Sequence, residues 1–197
     1  MTKTSYHHGS LKNTILDEVL ELLNYKSFDE ISFRSISRNI GVVSSAPYNH
    51  FKDKKHLIKE VILLGEKKLF NAILLEKKKS KVLTDQLRLI AKAYLNFAAE
   101  EKALFNLMFS KNNKELLHLC EKIMLQFELV IIEKFRKGKR FKLTAKGSAI
   151  TAWSMIHGVA ITLNNSNKEN LESLWHIELE DILGQMSAIW GKGVSEK

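Results

Sequence analysis

The chain of 197 residues is short of three things: cysteine, proline and long apolar runs. Cys120 is its only cysteine, so an intramolecular disulfide and a cysteine-rich zinc site are both excluded. Pro47 is its only proline. Proline breaks helix interiors, so one in 197 residues suits a chain built almost entirely of helices. No stretch approaches the roughly 18 consecutive apolar residues that a membrane-spanning helix needs. Residues 1–12 are polar and lack the apolar centre of a secretory signal, so a cytoplasmic protein without a membrane partner is expected. Also missing are a paired acid and base, a glycine-rich phosphate loop and a metal-ligand cluster. His118 and Cys120 stand two apart, which puts them on different helical faces. The expectation is therefore no catalytic residue, no metal and no cofactor.

What is present is ordinary for a globular protein: 45% hydrophobic and 27% charged residues. The formal net charge is +9. A basic surface attracts nucleic acid or an anionic membrane, and its distribution does not choose a region. Residues 1–68 hold 11 basic against 8 acidic residues, a net of +3, and residues 69–197 hold 20 against 14, a net of +6.

Apolar residues recur at three- and four-residue intervals nearly throughout, the spacing of one helical face. A first helix is expected over residues 11–25, capped by Ser10, with Ile15, Val19, Leu22 and Leu23 inward. A second begins after Ser32 and buries Phe33, Ile36 and Ile40. Gly41 follows, where a tight turn calls for positive φ. A third short helix is expected over residues 44–50, with Pro47 in its first turn. Asp53 caps a long fourth helix carrying Leu57, Val61, Leu64 and Leu69. Further helices are expected over residues 84–100 and 114–135, then from the Thr144 cap to residue 164, and over 168–190, with a short apolar stretch at 104–109.

Two short helices crossing at a glycine turn suit a helix-turn-helix, whose second helix fits the major groove of DNA. Ser44, Ser45 and Asn49 would then reach base edges, asparagine being matched to adenine. The same pattern equally suits an ordinary helical hairpin in a core.

The segment Tyr6-His7-His8-Gly9-Ser10-Leu11-Lys12 resembles the opening of one branch of the tetracycline-repressor (TetR) family. Residues 31–37 resemble that family's second helix. Gly41-Val42, Ala46-Pro47-Tyr48-Asn49-His50-Phe51 and Asp53-Lys54 with Leu57 resemble its recognition helix and the start of its fourth helix. The resemblance implies a contact set of Ser32, Arg34, Ser44, Ser45, Tyr48, Asn49, His50 and Lys54, with Ser32, Tyr48, His50 and Lys54 on phosphates. It departs at Val43, usually serine, which predicts a recognition helix capped by Ser44 and starting one residue late.

Ala152-Trp153-Ser154-Met155-Ile156-His157-Gly158 resembles the Trp-x-x-x-His-Gly signature of a TetR-family ligand and dimerisation domain. Its helix is apolar on nearly every side and is expected to be buried all round. The resemblance implies a dimer interface using Trp153, Gly158, Ile161, Trp175, Leu179, Ile182 and Met186, built as a two-fold four-helix contact. It also implies a pocket for a small effector. Tyr94, Phe97, Phe105, Met108, Phe127, Trp153 and His157 are candidates to line it, with Phe109 and Met124 beside them. Each of these residues also suits plain core packing.

The expected architecture is all-α: an N-terminal three-helix bundle with a helix-turn-helix over residues 1–52, then a larger helical ligand-binding and dimerisation domain over 53–197, linked by the helix at 53–76. The function implied is a DNA-binding transcriptional regulator, a repressor released by an apolar or amphipathic ligand. Its partners would be a near-palindromic double-stranded operator and a second copy of the chain. The alternative is an architectural DNA-binding factor acting at many chromosomal sites without a ligand.

Overall fold

The computed structural model describes residues 11–110, 113, 115–137, 144–165 and 178–195. Every regular element among them is helical. Ser10, the residues of the Tyr6 to Gly9 segment and Trp175 lie outside the described residues.

Helix α1, Leu11–Leu23, turns Ile15, Leu16, Val19, Leu22 and Leu23 inward at the spacing read from the sequence. A 3-10 turn follows at Phe28–Glu30, an element the apolar periodicity does not announce. The Ser27 N–H donates to Glu30 Oε2 at 2.9 Å and the Ser27 hydroxyl to the same oxygen at 2.7 Å. Helix α2, Phe33–Ile40, starts at Ser32. The Ser32 hydroxyl oxygen accepts from the Ser35 N–H at 3.1 Å, and Ser35 Oγ accepts from the Ser32 N–H at 3.1 Å. This reciprocal cap satisfies two donors that a helix start leaves open and is worth about 1 kcal/mol. α2 ends at Gly41, whose φ of 72° and ψ of 33° are left-handed, and the Val42 N–H closes back onto the Ser37 carbonyl at 3.0 Å.

The third helix expected over residues 44–50 is a 3-10 turn, Ala46–Asn49. Its bonds mostly span three residues, Ala46 to Val43, Tyr48 to Ser45 and His50 to Pro47, and only the Phe51 N–H reaches four back, to the Pro47 carbonyl at 2.9 Å. Pro47 has no N–H to offer the Val43 carbonyl, which the Ala46 N–H takes instead. The turn is preceded by Ser45 rather than Ser44, and Ser45 makes no side-chain capping bond.

Helix α3, Lys54–Lys77, starts where Asp53 accepts the His56 N–H at 2.7 Å. Its first turns close the core of the N-terminal bundle, where Ile15, Val19, Ile36, Phe51, Leu57 and Val61 are almost wholly excluded from solvent. Farther along, Gly65, Leu69 and Ile73 of α3 turn into the second half of the chain. A Cβ at Gly65 would lie 2.5 Å from Met108 Sδ and 3.1 Å from Leu104 Cδ1, so a side chain there would force both neighbours to shift. Next to it the buried Glu66 accepts from Lys122 Nζ at 3.2 Å.

Among the described residues, the second half holds α4 (Leu83–Glu100), α5 (Lys102–Met108), α6 (Leu116–Lys137), α7 (Ala145–Asn165) and α8 (Leu179–Ser195). α4 is its axis and packs against α3, α5, α6, α7 and α8. Thr144 caps α7 as expected, its hydroxyl accepting from the Gly147 N–H at 3.1 Å. Of the last helix, expected over residues 168–190, residues 168–177 lie outside the described residues, and Glu178 is not helical. α8 starts at Leu179, with the Glu178 carbonyl accepting from Asp181 and Ile182, and continues to Ser195. Glu180 in its first turn is paired with Arg88 and Lys92 of α4, a tie that periodicity could not reveal. In the single chain α7 has one face in the core and one in solvent. Ala149, Ala152, Ile156 and Ala160 face the core, whereas Ile150, Thr151, Ser154 and Gly158 are exposed.

Candidate nucleic-acid interface and effector cluster

The Ala46–Asn49 turn presents its polar side chains outward. Ser44, Ser45 and Asn49 are exposed, while Ala46 and Pro47 between them are buried and anchor the backbone. Tyr48 is 60% exposed, and its ring packs edge-on against Phe33 with centroids 4.8 Å apart. That contact holds the ring to α2 while the residue stays largely in solvent. Phe33 also stacks on the fully buried Phe51 at 6.4 Å, and His50 lies edge-on to Phe51 at 6.5 Å. The turn thus rests on an aromatic base.

Lys54 is committed in part. Its Nζ donates to the Asp29 carbonyl at 2.7 Å and lies 5.2 Å from the centroid of the Phe28 ring. An ammonium has three donors, so this bond leaves others for a phosphate. Ser32 and Arg34 sit across Gly41 from the turn and help to line a hollow of about 530 Å³ together with Ser35, Ser37, Arg38 and Ser44. Ser37 and Arg38 were not singled out in the sequence. The four-residue spacing of Arg34 and Arg38 on one face of α2 was the available signal.

The candidate effector residues separate into groups. Tyr94, Phe105, Trp153 and His157 come together. The Tyr94 hydroxyl is 2.9 Å from His157 Nδ1, Trp153 stacks on the His157 ring with centroids 5.0 Å apart, and Phe105 and Phe109 border the imidazole at 5.9 and 4.7 Å. Burial holds the His157 imidazole below its ordinary pKa and drives the Tyr94 phenol far above its own. The Trp153 indole N–H is turned toward the Tyr94 hydroxyl and draws that phenol part of the way back. It reaches no hydrogen-bonding geometry, and Nε1 is buried without a partner among the described residues.

Phe127 lies elsewhere. With Leu87, Ala91, Ile156, Leu183 and Met186 it lines an apolar cleft of about 50 Å³ between α4, α6, α7 and α8. Met108 is fully buried against Gly65, and Phe97 is buried on α4.

Of the residues expected at a dimer contact, Gly158 is exposed with nothing within 4 Å of a Cβ placed there. Trp153, Ile161, Ile182 and Met186 are half-buried. Leu179 begins α8. Leu183, which the sequence reading passed over, is buried in the core, and Ile189 is 64% exposed.

Cys120 is half-buried, and burial pushes its thiol pKa up. No group of three metal-ligating side chains occurs among the described residues, and no helix among them is long and apolar enough to cross a membrane.

A protein of unknown function from Rhodococcus sp. RHA1 superposes with a TM-score of 0.82 at 22% identity, over 98% of this chain and 100% of that one. A bacterial regulatory protein in the TetR family, from Rhodococcus RHA1, gives a TM-score of 0.68 at 15% identity, over 96% and 99% of the two chains. This is the TetR-family fold. The fatty acid degradation regulator FadR from Bacillus halodurans shares it, with a TM-score of 0.71 at 12% identity over 97% and 100%. No family sequence model matches the chain, and no curated protein matches it in sequence.

Proposed function

We propose that the protein is a homodimeric, sequence-specific DNA-binding transcriptional regulator of the cytoplasm, a repressor that an apolar or amphipathic small molecule releases from its operator. The observation that carries this reading is the exposed set Ser44, Ser45, Tyr48 and Asn49, held on a short turn whose buried residues lock it against α2. Hydroxyl and amide groups displayed on a rigid element are what groove readout requires. The division of labour falls at Asp53: residues 1–52 bind DNA, residues 53–197 bind the effector and the second subunit, and α3 joins them.

The exposed face of α7 around Ile150 and Gly158, with Ile189 on α8, supports a two-fold helical contact. Such a dimer would hold two reading turns about 34–36 Å apart, one turn of duplex, and would read a near-palindrome. The aromatic enclosure of Tyr94, Phe105, Trp153 and His157 supports an effector that is mostly apolar with one polar group. Binding would shift the population between two spacings of the reading turns.

The test is binding to labelled DNA from upstream of the protein's own gene, titrated with non-specific competitor at two salt concentrations. Saturable binding that survives competitor, footprints a near-palindrome and weakens with salt is the expected outcome. Binding that competitor abolishes, with protection scattered along the duplex, would favour an architectural role instead.

A further inference from the structure

Among the described residues of the N-terminal bundle the large apolar side chains left exposed are those of Tyr25, Val43 and Tyr48. The two tyrosines each end in a hydroxyl. Val43 has no polar atom in its side chain and is 70% exposed. One apolar residue on a surface is ordinary, and exposure alone says nothing of its use. Its place in the chain does. The Val43 carbonyl accepts from the Ala46 N–H at 2.9 Å, the bond that opens the Ala46–Asn49 turn. Val43 therefore stands at the N-terminal end of the element that displays Ser44, Ser45 and Asn49.

Its neighbours are turned another way. Val42 and Ser44 line the hollow against α2, and Val43 does not. The backbone is held on both sides, by the Val42 N–H on the Ser37 carbonyl at 3.0 Å and by the Ala46 N–H on Val43 itself. A side chain branched at Cβ is stiff about χ1. Two methyl groups are thus displayed from a fixed backbone, with little freedom to lose when something covers them. The bundle core draws little from a residue so exposed.

A recognition element in the major groove points its N-terminal residues at the base edges. Those edges carry hydrogen-bonding groups and one apolar feature, the C5 methyl of thymine. Valine can neither donate nor accept, so against an amino or carbonyl group it would displace water and return no bond. Only the methyl suits it. We infer that Val43 is a specificity-determining residue, which selects a thymine in each half of the operator by packing its methyl groups on the thymine C5 methyl. This rests on the DNA-binding reading above and adds the base that one named position requires. The contact involves no charge, so it discriminates between sequences without adding to the salt-dependent attraction.

The experiment uses the full chain and a random duplex library from which bound sequences are enriched, so it requires no known operator. Each thymine of the enriched duplex is then replaced in turn by uracil, which lacks only the methyl. At one thymine in each half-site the wild type should bind the uracil duplex about fourfold more weakly, the worth of one methyl taken out of water. Replacement by 5-bromouracil, whose bromine fills nearly the same space, should restore the affinity. Val43→Ser should bind the thymine and uracil duplexes alike, with the melting temperature and salt slope of the wild type. A uracil penalty as large in Val43→Ser as in the wild type would assign the methyl to another side chain and overturn the inference. So would the absence of any thymine at which uracil weakens the wild type, and either result leaves the DNA-binding reading standing. Failure of the wild type to enrich any sequence would remove that reading, and this contact with it.

Discussion

The hydroxyl of Tyr94 lies 2.9 Å from Nδ1 of His157, joining α4 to α7 across 63 residues of sequence in the middle of an aromatic cluster. Burial favours the neutral imidazole and the protonated phenol, so the bond joins two neutral groups, and the tautomer of His157 sets which one donates. Tyr94→Phe leaves Nδ1 without this partner while keeping the ring. The expected loss is about 1–2 kcal/mol of unfolding free energy, measured by urea denaturation.

The lowered pKa of His157 also sets a pH dependence. The unfolded chain takes up a proton on this residue at higher pH than the folded chain does, so its neutral form favours folding. The contribution is complete above the unfolded value of about 6.5 and is lost as the pH falls from there through the lower folded value. Melting temperatures at pH 7.5 and pH 5 should therefore differ more in the wild type than in His157→Gln. Equal differences would show that other groups control acid stability.

Gly65→Ala sets two effects against each other. Alanine favours a helix over glycine by about 1 kcal/mol. Its methyl, however, would meet Met108 Sδ at 2.5 Å and Leu104 Cδ1 at 3.1 Å in a buried contact, and overpacking of this kind costs about 1–3 kcal/mol. The clash should win and lower the melting temperature. Adding Met108→Ala should then cost less in the Gly65→Ala background than in the wild type.

Gly41→Ala meets nothing within 4 Å, so no clash arises. The φ of 72° is the obstacle, and a non-glycine residue there costs about 1–2 kcal/mol. The variant should melt lower and bind operator more weakly, since Gly41 fixes the angle between α2 and the reading turn.

Tyr48→Phe keeps the edge-on contact with Phe33 and removes only the hydroxyl. DNA affinity should fall while the dimer and the melting temperature stay as they were. Unchanged affinity at several salt concentrations would take that hydroxyl out of the contact set.

Ser32, Asp53 and Thr144 were legible as caps because a capping side chain bonds an N–H two or three residues away, entirely within the local sequence. The inward faces of α1 and α3 were legible for the same reason of short range. The 3-10 character of the reading turn was not, because a hydrophobic pattern reports which side faces inward and not the bond spacing that Pro47 imposes. The Tyr94–His157 bond and the Glu66–Lys122 pair join residues far apart in the chain, and no local pattern records them. Ser37 was passed over because a serine without a partner looks, in sequence, like any serine on a helix. The start of α8 at Leu179 escaped because apolar residues recur at helical intervals before it in the sequence as well.

The contact at Gly65 gives α3 a fulcrum. The helix is pressed there against Leu104 and Met108 with no side chain between, while its first residue, Lys54, lies eleven residues away, or about 16 Å at the helical rise. A rocking of about 10° at that fulcrum sweeps Lys54 through about 3 Å, the length of a hydrogen bond. On the DNA-binding reading proposed above, the Ala46–Asn49 turn sits at that end of α3, and a movement of that size would carry one of its side chains out of reach of a base.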